Sequence, residues 1–333
     1  MTSLDDNTVQ LLDRNRAGHE AQHASRRAGI VMLLAASVLW SLSGLAVKLA
    51  QMDSVAFAMW RSLAGAFALA VAIPFARGRW PRAKEMIPTI LVYTAVVSLL
   101  LAAMSRGKAA QGILLQYTGP LFCALFAWLF QRRRMGAHTA AALAVAGVGI
   151  AVMIAGAPAG DGLALTYGLL SGVAFGALIL LLEKVNRAGG GDANPIAITF
   201  LNNAGAAAIL VLICLATRTP LLGDSRQMAI VTVTGVIQLA IPYALFQVAL
   251  KRVEPVDASL LILLEPVLNP IWVALFFPER PDWSTVVGGV AIIGAMVIDA
   301  RKPEESDLRR PLARPSVGEV DEAQPLEDRA ARR

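Results

Sequence analysis

Polar and charged residues fall along this chain in short clusters. Between them lie ten apolar stretches, at about 29 to 49, 54 to 76, 86 to 105, 109 to 130, 137 to 156, 162 to 182, 194 to 216, 228 to 250, 257 to 277 and 283 to 300. A helix needs about 20 predominantly apolar residues to cross the hydrocarbon core of a bilayer, and each stretch is close to that length. None alternates apolar and polar positions with a period of two, so the pattern predicts helices and not the strands of a barrel. Several, such as Ala140 to Ala151, are rich in Ala and Gly, which suits packing against another helix better than facing lipid. The expected fold class is an all-α integral membrane protein of ten transmembrane helices.

Composition agrees. Of 333 residues 56% are hydrophobic and 16% charged, where roughly a quarter of an average soluble chain is charged, and this excludes an ordinary soluble globular protein. The formal net charge is +6, yet the basic residues sit in tails and short connections and not on one face, so no nucleic-acid partner is expected. Their placement gives direction instead, because Lys and Arg accumulate in cytoplasmic loops. With the N-terminus inside, the inside connections hold Arg77, Arg79, Arg82, Lys84, Arg132, Arg133, Arg134, Lys184, Arg187, Lys251 and Arg252. The outside ones hold only Lys48, Arg106, Lys108, Arg218, Arg226 and Arg280. Both termini are therefore expected in the cytoplasm. Residues 1–28 form a polar tail with Arg14, Arg16, Arg26 and Arg27, and the apolar run behind it is too long for the core of a cleaved signal. Residues 301–333 are charged and proline-punctuated, a composition that cannot bury enough surface to fold, and are expected to be disordered.

The two halves of the chain resemble each other. Leu115-Gln116-Tyr117-Thr118-Gly119-Pro120, followed by an apolar run ending at Leu129-Phe130, matches Leu261-Ile262-Leu263-Leu264-Glu265-Pro266 and a run ending at Leu275-Phe276, at an offset of 146. Upstream, Ala64-Gly65-Ala66 matches Ala204-Gly205-Ala206 at 140 and Lys48 matches Lys184 at 136, a drift that unequal loops would produce. The order of the matches is the signal. It divides the membrane part into residues 29–156 and 157–300, five stretches each, and because five is odd the second half enters the membrane from the opposite side. Inverted repeats are a device of secondary transporters, whose two similar halves exchange conformations to open a site to either side.

A polar group inside a membrane span is costly unless it is paired or faces a cavity, so each is a candidate for a site. In the ninth stretch Glu265 and Asn269 stand at i and i+4 on one face. Pro266 and Pro270 beside them lack donors and loosen the helix by freeing the carbonyls of Ile262 and Pro266. A carboxyl beside loosened carbonyls suits an ammonium group or a proton; a protonated Glu265 bonded to a neighbouring helix is the other reading. The eighth stretch adds Gln238, Pro242, Tyr243 and Gln247, the fourth Gln116, Tyr117 and Pro120, the first Trp40, Ser41, Ser43 and Gly44, and the third Tyr93, Thr94 and Ser98. Substrate-cavity candidates are thus Trp40, Ser43, Tyr93, Ser98, Gln116, Tyr117, Gln238, Tyr243, Gln247, Glu265 and Asn269, an uncharged and partly aromatic set apart from the carboxyl. Helix-breaking hinge candidates are Pro120, Pro242, Pro266 and Pro270. Gly168, Gly172 and Gly176 make a smooth strip for close helix approach; Trp40 aligns with Gly176 and breaks the symmetry there. Trp60, Trp80, Trp128 and Trp283, near span ends, are expected in the headgroup belt. Arg61 is the one cation well within a span, where it has room to snorkel, pair with a carbonyl or meet substrate. Asn202 and Asn203 are expected to bond across helices.

Other chemistry is set aside. Cys123 and Cys214 lie in apolar runs and form no disulfide framework or metal spacing. His19, His23 and His138 lie in the tail and at a loop edge, so no metal, no cofactor and no catalytic constellation is expected. Gly189-Gly190-Gly191-Asp192 fits a pattern of membrane aspartyl proteases, but no intramembrane aspartate is there to pair with it. No Gly-rich phosphate loop suggests use of ATP, and the pattern leaves the oligomeric state open, a monomer being compatible with it.

With ten stretches in paired halves, Pro120 and Pro266 in the fourth and ninth, and Leu264-Glu265-Pro266-Val267 leading to Pro278-Glu279-Arg280-Pro281, residues 29–300 resemble the drug/metabolite transporter superfamily. Within it they resemble the EamA-type exporters, whose relatives export aromatic and other amino acids. That family places a Glu after both the fourth and the ninth span; Glu279 fits the second, while Gln131-Arg132-Arg133-Arg134 stands at the first. The resemblance implies a basket of helices around a central cavity in a bacterial inner membrane, moving solutes by alternating access. Phosphate-carrying relatives need several cations in the cavity, and this chain has few. An amino-acid exporter, facilitative or coupled to protons, is the expectation, with Glu265 a partner for an ammonium or a proton. The alternatives are an exporter of drugs or other metabolites, or a passive solute channel.

Overall fold

The computed structural model describes residues 6–132, 136–157, 161–188, 190, 192–249, 252, 253 and 261–300, and these are almost entirely helical. Eight helical segments are long and apolar enough to cross a membrane, namely Ala24–Ala50, Ser54–Phe75, Ala83–Arg106, Ala109–Gln131, Ala137–Ala155, Gly162–Ala188, Pro195–Thr217 and Ser225–Phe246. The shorter apolar helices Leu264–Phe276 and Trp283–Asp299 follow. They coincide with the predicted stretches, whose ninth begins at residues outside the described ones, as does the tail from residue 301.

In chain order the helices are α1 (Asp6–Ser41), α2 (Ser43–Ala50), α3 (Ser54–Ala72), α4 (Ala83–Arg106), α5 (Ala109–Gln116), α6 (Gly119–Gln131), α7 (Ala137–Ala155), α8 (Gly162–Ala188), α9 (Pro195–Thr217), α10 (Ser225–Val233), a π segment (Thr234–Ala240), α11 (Ile241–Ala249), α12 (Leu264–Phe276) and α13 (Trp283–Ala300). Local chemistry fixes their ends. Asp53 caps α3 by accepting from the N–H groups of Val55 and Ala56, and Asn194 caps α9 in the same way through Ile196 and Ala197, ahead of Pro195. Asp224 and Gln227 form a reciprocal capping box at α10. Gln51, Arg132 and Arg218 end α2, α6 and α9 in the left-handed conformation.

The surface is the reverse of a soluble protein's. Phe67, Val71, Leu91, Leu212, Leu275 and Val290 stand exposed on the outside of the bundle, while Ser37, Ser62, Thr89, Asn202, Asn203 and Gln238 are buried. This suits a bilayer, where lipid wets apolar side chains and polar groups bond to one another within the protein. Thr89 donates to Asn202 Oδ1 at 3.0 Å and the Tyr93 hydroxyl to Asn203 Oδ1 at 2.8 Å, so both asparagines bond across helices. Trp80, Trp128 and Trp283 are exposed near helix ends. Trp60 differs from them: it packs against the main core and donates from Nε1 to Leu221 O.

The packing pairs are ordered. α4 lies along α8 and α9, α3 along α9 and the π segment, α6 along α8, α7 along α13, and α1 along α11 and α12. In terms of the ten stretches, the third packs on the sixth as the eighth on the first, and the fourth on the sixth as the ninth on the first.

Connections gather at two ends. The first end holds residues 51–53, 107–108, 218–224 and 277–282; the second holds 76–82 and 192–194. At the second end Arg79 N donates to Asp192 O at 2.6 Å and Asn194 N to Arg79 O at 2.9 Å. This isolated parallel bridge needs Gly78, whose φ is +123° and whose place a side chain could not share with the Asp192 carbonyl.

The glycine strip of α8 does what its spacing predicts. A Cβ at Gly172 would lie 2.5 Å from Leu115 O and from Thr118 Oγ1, and one at Gly176 would lie 2.7 Å from Cys123 N. Gly172→Leu is expected to force α8 off the α5–α6 junction, at a cost of about 1–3 kcal/mol or more, read as lower thermal stability in detergent. Gly147 has open space around it, and Gly147→Ala is the control, expected to keep or slightly raise stability because Ala is the better helix former.

Candidate functional site

Interruptions of four helical segments converge in the middle of the bundle. Pro120 and Pro266 lack the N–H that would bond the carbonyls of Gln116 and Ile262. The chain turns just before each proline, at Tyr117 and Thr118 between α5 and α6 and at Leu263 before α12. Tyr117 and Leu263 stand 146 residues apart, as the two prolines do. In the eighth stretch Pro242 leaves the Gln238 carbonyl without its partner, and the helix answers with the π segment, whose closing bond runs from Ile241 N–H to Val236 O. The break at Leu42 between α1 and α2 contains no proline or glycine. Side chains of α12 hold it: Trp272 Nε1 donates to Ser41 Oγ at 2.8 Å and Asn269 Nδ2 to Ser43 Oγ at 3.0 Å, while Gly44 lets Asn269 approach.

These interruptions frame a cavity of about 670 Å³, within the range of about 300–1,000 Å³ usual for small-molecule sites. Its wall is mainly apolar, with Val96, Val97, Leu100, Leu178 and Phe175 among its members. It reaches from mid-bundle toward the second end, where Asn186, Ala193 and Pro195 line it. The Tyr117 hydroxyl, freed to turn inward by the α5–α6 break, donates to Glu265 Oε2 at 2.7 Å and lies 3.3 Å from Ile262 O, the carbonyl that Pro266 leaves open. Trp40 meets Tyr243 edge-on with ring centres 5.2 Å apart, and Phe246 at 5.6 Å. Gln238 spans the gap between them and Arg61: its Nε2 donates to Trp40 O at 3.1 Å and its Oε1 accepts from an Arg61 terminal nitrogen at 2.9 Å.

The first end is clasped shut by charge. Lys48 Nζ lies 2.7 Å from Glu279 Oε2 and donates to Gly107 O at 2.8 Å, and the second oxygen of Glu279 accepts from Ala109 N at 2.7 Å. Beside it Lys108 Nζ lies 2.5 Å from Asp282 Oδ1. Three connections that are remote in sequence are joined there, and none of these residues lines the cavity.

Of the residues expected around a substrate, Trp40, Ser43, Tyr93, Gln116, Tyr117, Gln238, Tyr243 and Glu265 line this one cavity, and so does Pro120. Asn269 does not: one turn nearer the first end than Glu265, it is covered by α2 and wholly buried. Ser98 does not either, since its hydroxyl turns back to Thr94 O. Pro242, Pro266 and Pro270 shape the backbone behind the wall, and the side chain of Gln247 lies outside the described residues. The expectation of a lining uncharged apart from the carboxyl is corrected by Arg61, which does not snorkel but lies in the cavity wall, paired with the side-chain carbonyl oxygen of Gln238. An ionisable residue deep in a span is the signal that marks it. Thr199 and Asn202, also in the wall, carry the weaker signal of a polar residue within a span, and Phe175, beside them, carries none.

The EamA-like transporter family matches residues 27–155 and residues 162–298. An uncharacterized protein of Pseudomonas aeruginosa is 30% identical over 264 residues, which are 74% of this chain and 86% of the relative. An uncharacterized transporter of Archaeoglobus fulgidus is 28% identical over 62% of this chain and 72% of its own length. A crystal structure of another protein, 18% identical, aligns over 84% of this chain and all of that one with a TM-score of 0.57, a likeness of fold. With both halves of the membrane part matched, the chain belongs to the EamA-like transporter family of the drug/metabolite transporter superfamily.

Proposed function

We propose that this transporter is a secondary exporter of amino acids, neutral and aromatic ones foremost, working by alternating access in a bacterial inner membrane. In this reading ten helices span the bilayer with both termini cytoplasmic, and residues 29–156 and 157–300 are two inverted halves. The bias of Lys and Arg toward the second end supports the orientation. The two family matches, the breaks at Tyr117 and Leu263, and the packing pairs that exchange between halves support the repeat. The first end is then external and closed by the Lys48–Glu279 and Lys108–Asp282 pairs, and the cavity faces the cytoplasm, from which an exporter loads.

The observation that carries the proposal is the cavity itself: one closed end, an aromatic wall at Trp40, Tyr243 and Phe246, and the Tyr117–Glu265 pair at its centre. An aromatic surface beside a carboxyl suits a solute with an apolar side chain and an ammonium group, and the carboxyl is also a site for a coupling proton. The test is uptake of a labelled amino-acid panel into proteoliposomes, with and without an inward proton gradient. Saturable uptake of aromatic or other neutral amino acids is the expected result. Acceleration by the gradient would establish proton coupling, and its absence facilitated transport. No uptake of any amino acid would overturn the substrate class and favour a drug or other metabolite, the second reading, which the largely apolar wall supports.

A further inference from the structure

Arg61 is the one cation that the described residues bring to the cavity wall, and it is held there without being neutralised. It is 6% exposed, one terminal nitrogen donates to the neutral Oε1 of Gln238, and its buried Nε has no partner. Gln238 cannot turn away, because its amide nitrogen is engaged by Trp40 O. A guanidinium has five donors, and leaving them short of an anion in a membrane interior is costly unless a ligand supplies one. Glu265 lines the same cavity, yet no ion pair joins it to Arg61. Its Oε2 is taken by Tyr117, and Oε1 has no hydrogen-bond partner among the described residues.

We infer that the Arg61 guanidinium, aimed by the Trp40–Gln238 clamp, receives the carboxylate of a zwitterionic solute whose ammonium group meets Glu265. The cavity then has two poles of opposite charge with aromatic surface beside them, and it selects α-amino acids over the amines and acids that carry the same side chain. A planar fork of donors also matches a carboxylate better than a point charge does. Gln238 is a positioning residue in this scheme, and it keeps Arg61 from collapsing onto Glu265 when the cavity is empty. The inference rests on the amino-acid reading above.

The test is calorimetric binding to the full-length chain in detergent, with L-phenylalanine, phenethylamine and 3-phenylpropionate as probes, and the other amino acids as a panel. The wild type is expected to bind phenylalanine at least about tenfold more tightly than either analogue, since each lacks one charge-assisted contact. Arg61→Gln is expected to remove the advantage over phenethylamine while leaving phenethylamine binding unchanged, and Glu265→Gln the advantage over 3-phenylpropionate; Arg61→Lys keeps part of the first. Equal binding of phenylalanine and phenethylamine by the wild type overturns the inference alone and leaves the amino-acid reading standing, as does an Arg61→Gln variant that weakens both equally. Failure of every amino acid to bind overturns both. Should Arg61→Gln not fold, the wild-type comparison decides.

Discussion

Cross-linking position 48 to position 279 is expected to abolish transport. In a Cys123→Ala, Cys214→Ala background, Lys48→Cys and Glu279→Cys place two thiols where an ion pair of 2.7 Å now stands, within reach of a short bismaleimide. If the first end must part for the cavity to face outward, a covalent tie there traps the closed state and flux falls to background, whereas the uncross-linked double variant still transports. The native clasp is a partly exposed pair, and such pairs contribute about 0–1 kcal/mol each, so they hold a state without locking it. The charge-reversed pair Lys48→Glu with Glu279→Lys is expected to recover more activity than either single reversal. Flux that survives complete cross-linking, measured by mass and by proteoliposome uptake on the same sample, would mean that this end does not move.

Glu265→Gln has the second largest expected effect, a loss of flux of about tenfold or more, from hydrogen bonds to a charged group worth about 1.5–3 kcal/mol. The substitution keeps size and the bond from Tyr117, so it removes the carboxyl's ionisation and little else. The groups able to influence that ionisation are Tyr117, Tyr93, Tyr243 and Arg61, all in the same cavity wall. Flux in Glu265→Gln is therefore expected to lose the pH dependence of the wild type. Tyr117→Phe is expected to fall between the two, because it leaves the acid in place and takes away its donor. Unchanged flux at every pH in Glu265→Gln, with normal protein yield, would remove the carboxyl from the mechanism.

The spans were legible because hydrophobic length is a strong local signal; the caps that end them, Asp53, Asn194 and Asp224, and the left-handed residues at 51, 132 and 218 are local chemistry that the apolar pattern does not by itself point out. The internal repeat carried further than the spans: its offset of 146 places the break at Leu263 once Tyr117 is known to be a break. What stayed illegible depends on distant partners. Ser41, Ser43 and Gly44 beside Leu42 are a weak local signal of a break, and the partners that hold it, Asn269 and Trp272, stand more than 220 residues away. The clasp of Lys48 with Glu279 hides in the same way, since a charge in a connection reads as topology until its partner is seen. Asn269 shares a helical face with Glu265, as i,i+4 spacing requires, but a turn of helix is enough to carry it out of the cavity and under α2. Arg61 was visible as an anomaly, and only Gln238 tells where it points.

The most direct measurement of the central claim, one cavity served alternately from two sides, is counterflow. Proteoliposomes preloaded with unlabelled phenylalanine and diluted into a trace of the labelled form are expected to accumulate label transiently above its equilibrium level, because each returning cavity carries label inward while unlabelled solute leaves. A monotonic approach to equilibrium with no overshoot, in vesicles whose uptake is otherwise active, would contradict the account and point to a pore open to both sides at once.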